Sequence, residues 1–329
     1  MLQLPESLSI ILTYKCNAKC DYCCFESNSY EKAYLNLNTI KKIISHSKKL
    51  FTPKVVVFTG GEPTLYLNTL IKSINFTRNL HIPSRIVTNC WWAKDAEKAE
   101  TVISKLVDAG LTEINFSTGT QHQRFIDFKN VKLAIDAAIK FKLRPIVVIE
   151  EDENADYIQN ELVTESKSFL NHFKITRFKK VYLNSSKKEN IENGISQLRC
   201  NNILQLVAFS PDNIVYPCCG LPIRKMHGFE LCKIDEYFEL GRGELLNLLY
   251  NFQNTKILVD GPYKAYCEQT NHLQSNFHHN CVNCYELYKN SNFFNKEFEP
   301  NVNDKEIIIR KLALLSFIKK RVVTMHHKT

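Results

Sequence analysis

The sequence predicts an α/β fold: a partial (β/α)6 TIM-like barrel that runs into a smaller C-terminal extension. Three observations carry this expectation. Short β-rich runs alternate with helical stretches through the first half of the chain, which implies parallel strands joined by crossover helices. The alternation stops at a polar stretch, 185–199, beyond which the pattern changes. The 329 residues allow about two domains at ~150 residues each. The expected division is 1–190 for the barrel and 191–329 for the extension.

SLSIILTY (7–14) is the first β-rich run, and NTIKKIISHSKKL (38–50) follows with helical spacing. VVVFTG (55–60) leads to a helical stretch over 67–80. RIVTN (85–89) leads to AKDAEKAETVISKLVDAG (93–110), where Gly110 is a natural helix stop. EINFST (113–118) leads to KNVKLAIDAAIKFK (129–142). PIVVIE (145–150) leads to a helix from Asp156 to about His172, and VYLN (181–184) closes the series as the sixth strand. In the extension, LVAFSPDNIVYPC (206–218) reads as two strands around a Pro-Asp-Asn turn. Helical stretches follow at about 243–257 and 303–321, the last one amphipathic. Sites in such barrels lie at the C-terminal strand ends.

Hydrophobic residues at 44% supply a core, and charged residues at 23% match an ordinary soluble protein. No apolar run is long enough to span a bilayer. The opening MLQLPESLSIILTYKC lacks the basic n-region and cleavage site of a signal peptide, so a cytoplasmic location is expected. The net charge of +9 reads as a solvated basic surface. Basic and aromatic residues are not interleaved as base stacking requires, so nucleic acid is not an expected partner. Twelve cysteines are many for such a chain and point to metal or redox chemistry. They fall at 16–24 and 200–284, with only Cys90 between.

Cys16, Cys20 and Cys23 form C-x3-C-x2-C directly after the first strand. Three thiolates on one short loop suit three irons of a [4Fe–4S] cube, leaving the fourth iron open for a substrate or cofactor. Electron-transfer clusters normally use four cysteines. Structural zinc is the main alternative, although zinc loops usually show paired C-x2-C units. Three buried cysteines without a ligand role fit poorly on a polar loop of Asn17, Lys19 and Asp21. A second segment, Phe58-Thr59-Gly60-Gly61-Glu62-Pro63, ends the second strand, and its glycines let the backbone approach closely.

The two segments resemble the signatures of the radical SAM superfamily, over about residues 7–184. The resemblance implies a [4Fe–4S] cluster on Cys16, Cys20 and Cys23, with the open iron chelated by S-adenosylmethionine (SAM). It implies Tyr22 near the adenine and a SAM pocket formed by Gly60, Gly61, Glu62 and Pro63, with Glu62 accepting from the ammonium. One electron then breaks a carbon–sulfur bond of SAM, and the 5′-deoxyadenosyl radical takes a hydrogen from the substrate. A reductant such as flavodoxin or ferredoxin is the implied electron source. Thr88 and Asn89, and Ser117 and Thr118, end later strands and are candidates to hold the ribose, or are ordinary loop and cap residues. His122 and Arg124 are candidates to touch SAM or the substrate. Trp91 and Trp92 either wall the pocket or pack.

Cys200 is followed by twelve residues, Asn213, four residues and Cys218. This resembles the start of the SPASM/twitch extension of radical SAM maturases, C-x(9–15)-G-x4-C. Asn213 stands for the glycine, and Asn is the next best residue at positive φ. Cys281 and Cys284 add a C-x2-C pair. The resemblance implies one auxiliary [4Fe–4S] cluster on Cys200, Cys218, Cys281 and Cys284, with zinc in the same thiolates as the rival. Cys267 is a substitute ligand and Cys232 a more distant one.

Cys219 adjoins Cys218. Neighbouring residues at a strand end point in opposite directions, so Cys219 is expected to face the barrel mouth, where a thiol can donate a hydrogen atom. The plain alternative is a buried or ligand cysteine. Cys-Cys-Phe at 23–25, the Phe58–Glu62 segment, Tyr-Pro-Cys-Cys at 216–219 and the late C-x2-C resemble the radical SAM peptide epimerases that make epipeptides. There the second cysteine of Tyr-Pro-Cys-Cys is the donor, which maps onto Cys219. The implied function is isomerisation of an L- to a D-residue in a ribosomally synthesised precursor peptide, a step of RiPP maturation. A maturase that forms thioether or carbon–carbon crosslinks uses the same clusters without a donor thiol. A metal-stabilised binding or regulatory protein is the reading of another class. Cys24 reads as packing and Cys90 as a weaker donor.

Overall fold

The computed structural model describes residues 3–165, 173–179, 200, 202–220, 223–226, 228–270, 280–290 and 302–313. It divides into two units: Glu6–Tyr182 with Ala208–Ile214, and Met1–Pro5 with Leu183–Val207 and Val215–Thr329.

In the first unit, β1 (Ser7–Thr13) buries Leu8, Ile10, Ile11 and Leu12 completely, as expected of a strand covered on both faces. α1 (Leu37–Leu50) is capped by Asn36, whose side chain accepts from the Thr39 N–H, and buries Ile40, Ile43, Ile44 and Leu50. β2 (Val55–Gly60), a 3-10 turn at Pro63–Tyr66 and α2 (Leu67–Asn79) follow. β3 (Ser84–Thr88) leads to α3 (Ala96–Ala109), which starts on Asp95 and ends at Gly110 with φ 99°. β4 (Glu113–Thr118), α4 (Thr120–Gln123), α5 (Phe128–Lys140), β5 (Pro145–Glu151), α6 (Ala155–Glu165) and β6 (Lys174–Lys179) complete the series. The six strands lie in sequence order and pair in parallel, with Ser7 opposite Val55 and Ile146 opposite Lys174. Every loop at a C-terminal strand end therefore opens on the same side of the sheet.

The strand after α6 is Lys174–Lys179; the strand expected at 181–184 lies outside the described residues. Among the described residues it pairs with β5 only, and Arg177 bonds Asp156 at 2.6 Å and Gln159 at 2.9 Å. A charged edge resists pairing with other chains. That composition hides the strand from a search for apolar runs.

β7 (Leu206–Phe209) and β8 (Ile214–Tyr216) are the expected hairpin strands. Asn213 sits at φ 66°, and the Ser210 N–H reaches the Ile214 carbonyl at 3.0 Å. The second unit continues with β9 (Cys232–Lys233), α7 (Ile234–Tyr237), α8 (Arg242–Leu249), α9 (Phe252–Asp260), α10 (Pro262–Thr270) and α11 (Asn280–Asn290). A last helix, α12, spans 302–313. The single helix expected over 243–257 is two, because the Asn251 side chain accepts from the Asn254 N–H at 2.8 Å and starts α9 afresh. The Asp260 side chain, 5% exposed, ties three helices together through Lys256 at 3.3 Å and Lys311 at 2.6 Å, and Lys256 also meets Glu268. Burial raises the Asp260 carboxyl, but the lysines outweigh it and hold it below the usual range.

Candidate active site

Two backbone bonds hang the start of the cysteine loop on the segment after β2. The Gly61 N–H reaches the Thr13 carbonyl at 2.7 Å, and the Glu62 N–H reaches that of Lys15 at 2.8 Å. A Cβ on Gly60 would lie 2.3 Å from the Thr13 oxygen, and one on Gly61 2.1 Å from the Lys15 oxygen. Both positions therefore require glycine. Pro63 is buried and opens the 3-10 turn. The Gly-Gly-Glu-Pro segment thus sets the height at which Cys16 leaves β1.

Cys16 is buried, and Cys20 and Cys23 are half-buried. The Ala18 N–H points at the Cys16 sulfur (3.3 Å) and the Ser27 N–H at the Cys23 sulfur (3.4 Å). Burial, reinforced by the nearby Cys23 charge, pushes the Cys16 and Cys20 thiols up to about 12. Metal loading therefore displaces protons. Among the described residues, no three His, Cys, Asp or Glu side chains converge on a single-ion site. An iron–sulfur cube takes its thiolates one per iron. The donors present, three soft sulfurs of which two receive N–H groups, fit that group.

Glu62 is 1% exposed and is the hub behind the loop. Its Oε1 accepts from the Thr64 N–H (3.1 Å), the Thr64 hydroxyl (2.6 Å) and the Thr88 hydroxyl (2.8 Å), and its Oε2 from the Asn89 N–H (2.8 Å). Burial pushes the carboxyl up, and these donors pull against it. The indole of Trp91 donates to Thr64 Oγ1 (2.8 Å) and that of Trp92 to Thr88 Oγ1 (3.1 Å). The tryptophans therefore brace the Glu62 hub. Trp92 also packs beside Phe116. Asn89 turns its amide onto the cysteine loop, 3.0 Å from Asn17 Oδ1 and 3.8 Å from the Cys16 sulfur. Ser117 lies on the half-buried face of β4, opposite in direction to buried Thr118.

A second hub was not foreseen. Glu150, at the end of β5, is fully buried. It accepts from the Tyr22 hydroxyl, from the Gln121 N–H (2.8 Å) and from the His122 N–H (3.0 Å), and lies 2.6 Å from His122 Nδ1. Tyr22 is also 2.9 Å from His122 Nδ1, and its ring meets the edge of Phe178. Burial acts to raise the Glu150 carboxyl, but the bonds from His122 and Tyr22 outweigh it and hold it below the usual range. Burial and the Glu150 charge push the Tyr22 phenol up. Arg124 bonds Asp21 at 3.1 Å, so both His122 and Arg124 meet the cysteine loop. The one available signal for Glu150 was a carboxylate at a strand end.

In the second unit, Cys200, Cys218, Cys281 and Cys284 lie near one another, although among the described residues no three of them converge on a single-ion site. Burial pushes the Cys218 and Cys284 thiols far up, and the charges of Cys200 and the other members of the group add to this. A Cβ on Gly220 would lie 3.3 Å from the Cys281 sulfur and 3.5 Å from that of Cys218. The absent side chain leaves room between these two sulfurs. Cys281 and Cys284 share one face of α11. Cys219, half-buried, follows Cys218 and raises its thiol further. Cys267 interacts with Tyr263, and Cys232 lies beside Glu236. Cys90 is fully buried at φ 64°, and Cys24 is half-buried.

Residues 10–152 match the profile of the Radical SAM superfamily. This stretch is a radical SAM domain. It contains the Cys16–Cys23 loop and both carboxylate hubs, and the parallel-stranded partial barrel is its fold. The chain is 24% identical over 227 residues to YydG of Bacillus subtilis (strain 168), whose name assigns it to peptide biosynthesis; the match covers 65% of this chain and 69% of YydG. It is 31% identical over 151 residues to a Methanococcus maripaludis protein named as a GTP 3′,8-cyclase, covering 44% of this chain and 48% of that protein. The chain thus spans about half the length of that relative. Among solved structures, anSMEcpe with bound AdoMet and Kp18Cys peptide superposes with a TM-score of 0.55 at 14% identity, over 88% of this chain and 97% of that one, a likeness of fold. Among the described residues no helix is long and apolar enough to cross a membrane.

Proposed function

We propose that the radical SAM domain acts on a ribosomally synthesised precursor peptide and converts L-residues to D-residues. The relation to YydG, named for peptide biosynthesis, supports a peptide substrate. One observation carries the finer reading. Cys219 directly follows Cys218, whose thiol gathers with those of Cys200, Cys281 and Cys284. Four thiols complete a cluster's ligand set, and the likeness of Tyr-Pro-Cys-Cys at 216–219 to the epipeptide epimerases supports Cys219 as the hydrogen donor.

When bound, a [4Fe–4S] cluster on Cys16, Cys20 and Cys23 together with SAM supplies a one-electron cleavage and a hydrogen-abstracting radical. The chain's own residues do the rest. The Ala18 and Ser27 N–H groups offset thiolate charge on two of the ligands. Asn89 and the backbone at 60–62 fix where Cys16 stands. Cys219 gives one hydrogen atom to the flattened Cα from the opposite face and becomes a thiyl. One electron, from a reductant of the flavodoxin or ferredoxin class, and one proton from water restore the thiol. One hydrogen leaves Cα and one returns, so the peptide's mass is unchanged in ordinary water.

The test is anaerobic turnover in D2O with SAM, reductant and the peptides made from small open reading frames neighbouring the enzyme's gene. One deuterium per modified residue, with a D-residue on chiral hydrolysate analysis, is the expected product. Loss of two hydrogens without deuterium would instead establish crosslinking and return Cys219 to an ordinary cysteine.

A further inference from the structure

We infer that Glu150 is a positioning residue that holds the loop bearing Cys20 and Cys23 in its working conformation. The inference rests on the proposed function only in taking that loop as the cofactor's; the clamp itself belongs to the metal-free chain.

Tyr22 lies between the two cysteines, and its hydroxyl ends on a carboxylate that solvent does not reach. A buried charge persists only where donors surround it. Glu150 has three, the Tyr22 hydroxyl and the N–H groups of Gln121 and His122, and it lies 2.6 Å from His122 Nδ1. They come from two parts of the chain, the cysteine loop and the segment after β4. Gly119 makes the fit possible, since a Cβ there would lie 2.4 Å from Glu150 Cγ. Among the described residues these segments also meet directly at Tyr22 and His122, 2.9 Å apart, and at Arg124 and Asp21, whose side chains are 52% and 57% accessible; such exposed pairs hold little. Glu150 bonds Tyr22 and lies 2.6 Å from His122 Nδ1, so the buried carboxylate is the centre of the attachment. An amide in its place turns an NH2 group toward an existing donor and loses at least one bond.

The experiment compares E150Q, Y22F and R124A with the unaltered chain. Hydrogen exchange is measured on the metal-free proteins, and electron paramagnetic resonance on the reconstituted, reduced proteins with and without SAM. In E150Q and Y22F, exchange over 16–24 is expected to speed about tenfold, as loss of a hydrogen bond to a charged acceptor predicts, with β2 and β3 unchanged. The SAM-induced change in the resonance spectrum should broaden or shift in both, at unaltered iron content. In hydrogen exchange over 16–24, the readout on which it is compared, R124A should stay within about twofold of the unaltered chain. Unaltered exchange and spectra in both E150Q and Y22F overturn the inference. So does acceleration spread evenly through the barrel, which would make Glu150 a general stability residue. If E150Q does not fold, Y22F decides. Failure of the unaltered protein to cleave SAM would count against the proposed function and leave the exchange comparison standing.

Discussion

Replacing Cys219 by alanine is expected to leave SAM cleavage within about threefold of the unaltered enzyme and to remove the D-residue from the product. The two effects separate because cleavage belongs to the Cys16–Cys23 loop in one unit, and Cys219 belongs to the other. Without the thiol, the flattened Cα has no hydrogen source on its far face. It is either re-quenched from the side of abstraction, giving back the L-residue, or diverted to side products. Serine should behave as alanine does, since its O–H bond is too strong to give up a hydrogen atom to a peptide Cα radical. 5′-Deoxyadenosine and the D-residue, measured in the same reaction, check both halves. A normal yield of D-residue from the alanine variant would assign the donor elsewhere. Cys90 is a poor replacement, being fully buried with its thiol raised by burial.

The second large effect concerns the two cysteine groups as independent sites. Changing Cys20 to alanine should abolish 5′-deoxyadenosine formation and lower bound iron to about half, because a three-thiolate loop cannot spare a ligand while the second group keeps its own. Changing Cys281 to alanine should remove the other share of iron. Thermal unfolding should show the barrel intact in the Cys20 variant, since that side chain is only half-buried and outside the strands. Metal analysis on the same samples separates iron from zinc in the second group. Zinc that disappears with Cys281 would replace the auxiliary cluster by a structural ion.

The parts of this protein that could be read in advance are those written locally. Leu8–Leu12 and Val55–Phe58 are apolar runs, and Gly110 stops its helix at φ 99°. Asn213 adopts the positive φ that its place in the Pro-Asp-Asn turn demanded. The C-x3-C-x2-C loop at 16–23 is likewise a local pattern, while the later cysteines were grouped only by resemblance. What escaped is non-local. Glu150 and Tyr22 are 128 residues apart, and nothing around either announces the other. Glu62 could be placed at its strand end, but its binding to Thr88 and Asn89 depends on β3 lying beside β2. The tryptophans were read as pocket wall or packing; Trp92 does pack beside Phe116, but that both indoles brace Glu62 through two threonines could not be read. β6 was missed because an edge strand carries charge where central strands carry Val and Ile.

The most direct measurement is 5′-deoxyadenosine production by the anaerobically reconstituted protein with SAM and dithionite, followed by chromatography. Formation that depends on reductant and vanishes in the Cys20→Ala variant is the predicted result. A fully iron-loaded protein that binds SAM yet forms no 5′-deoxyadenosine would contradict radical chemistry at this loop.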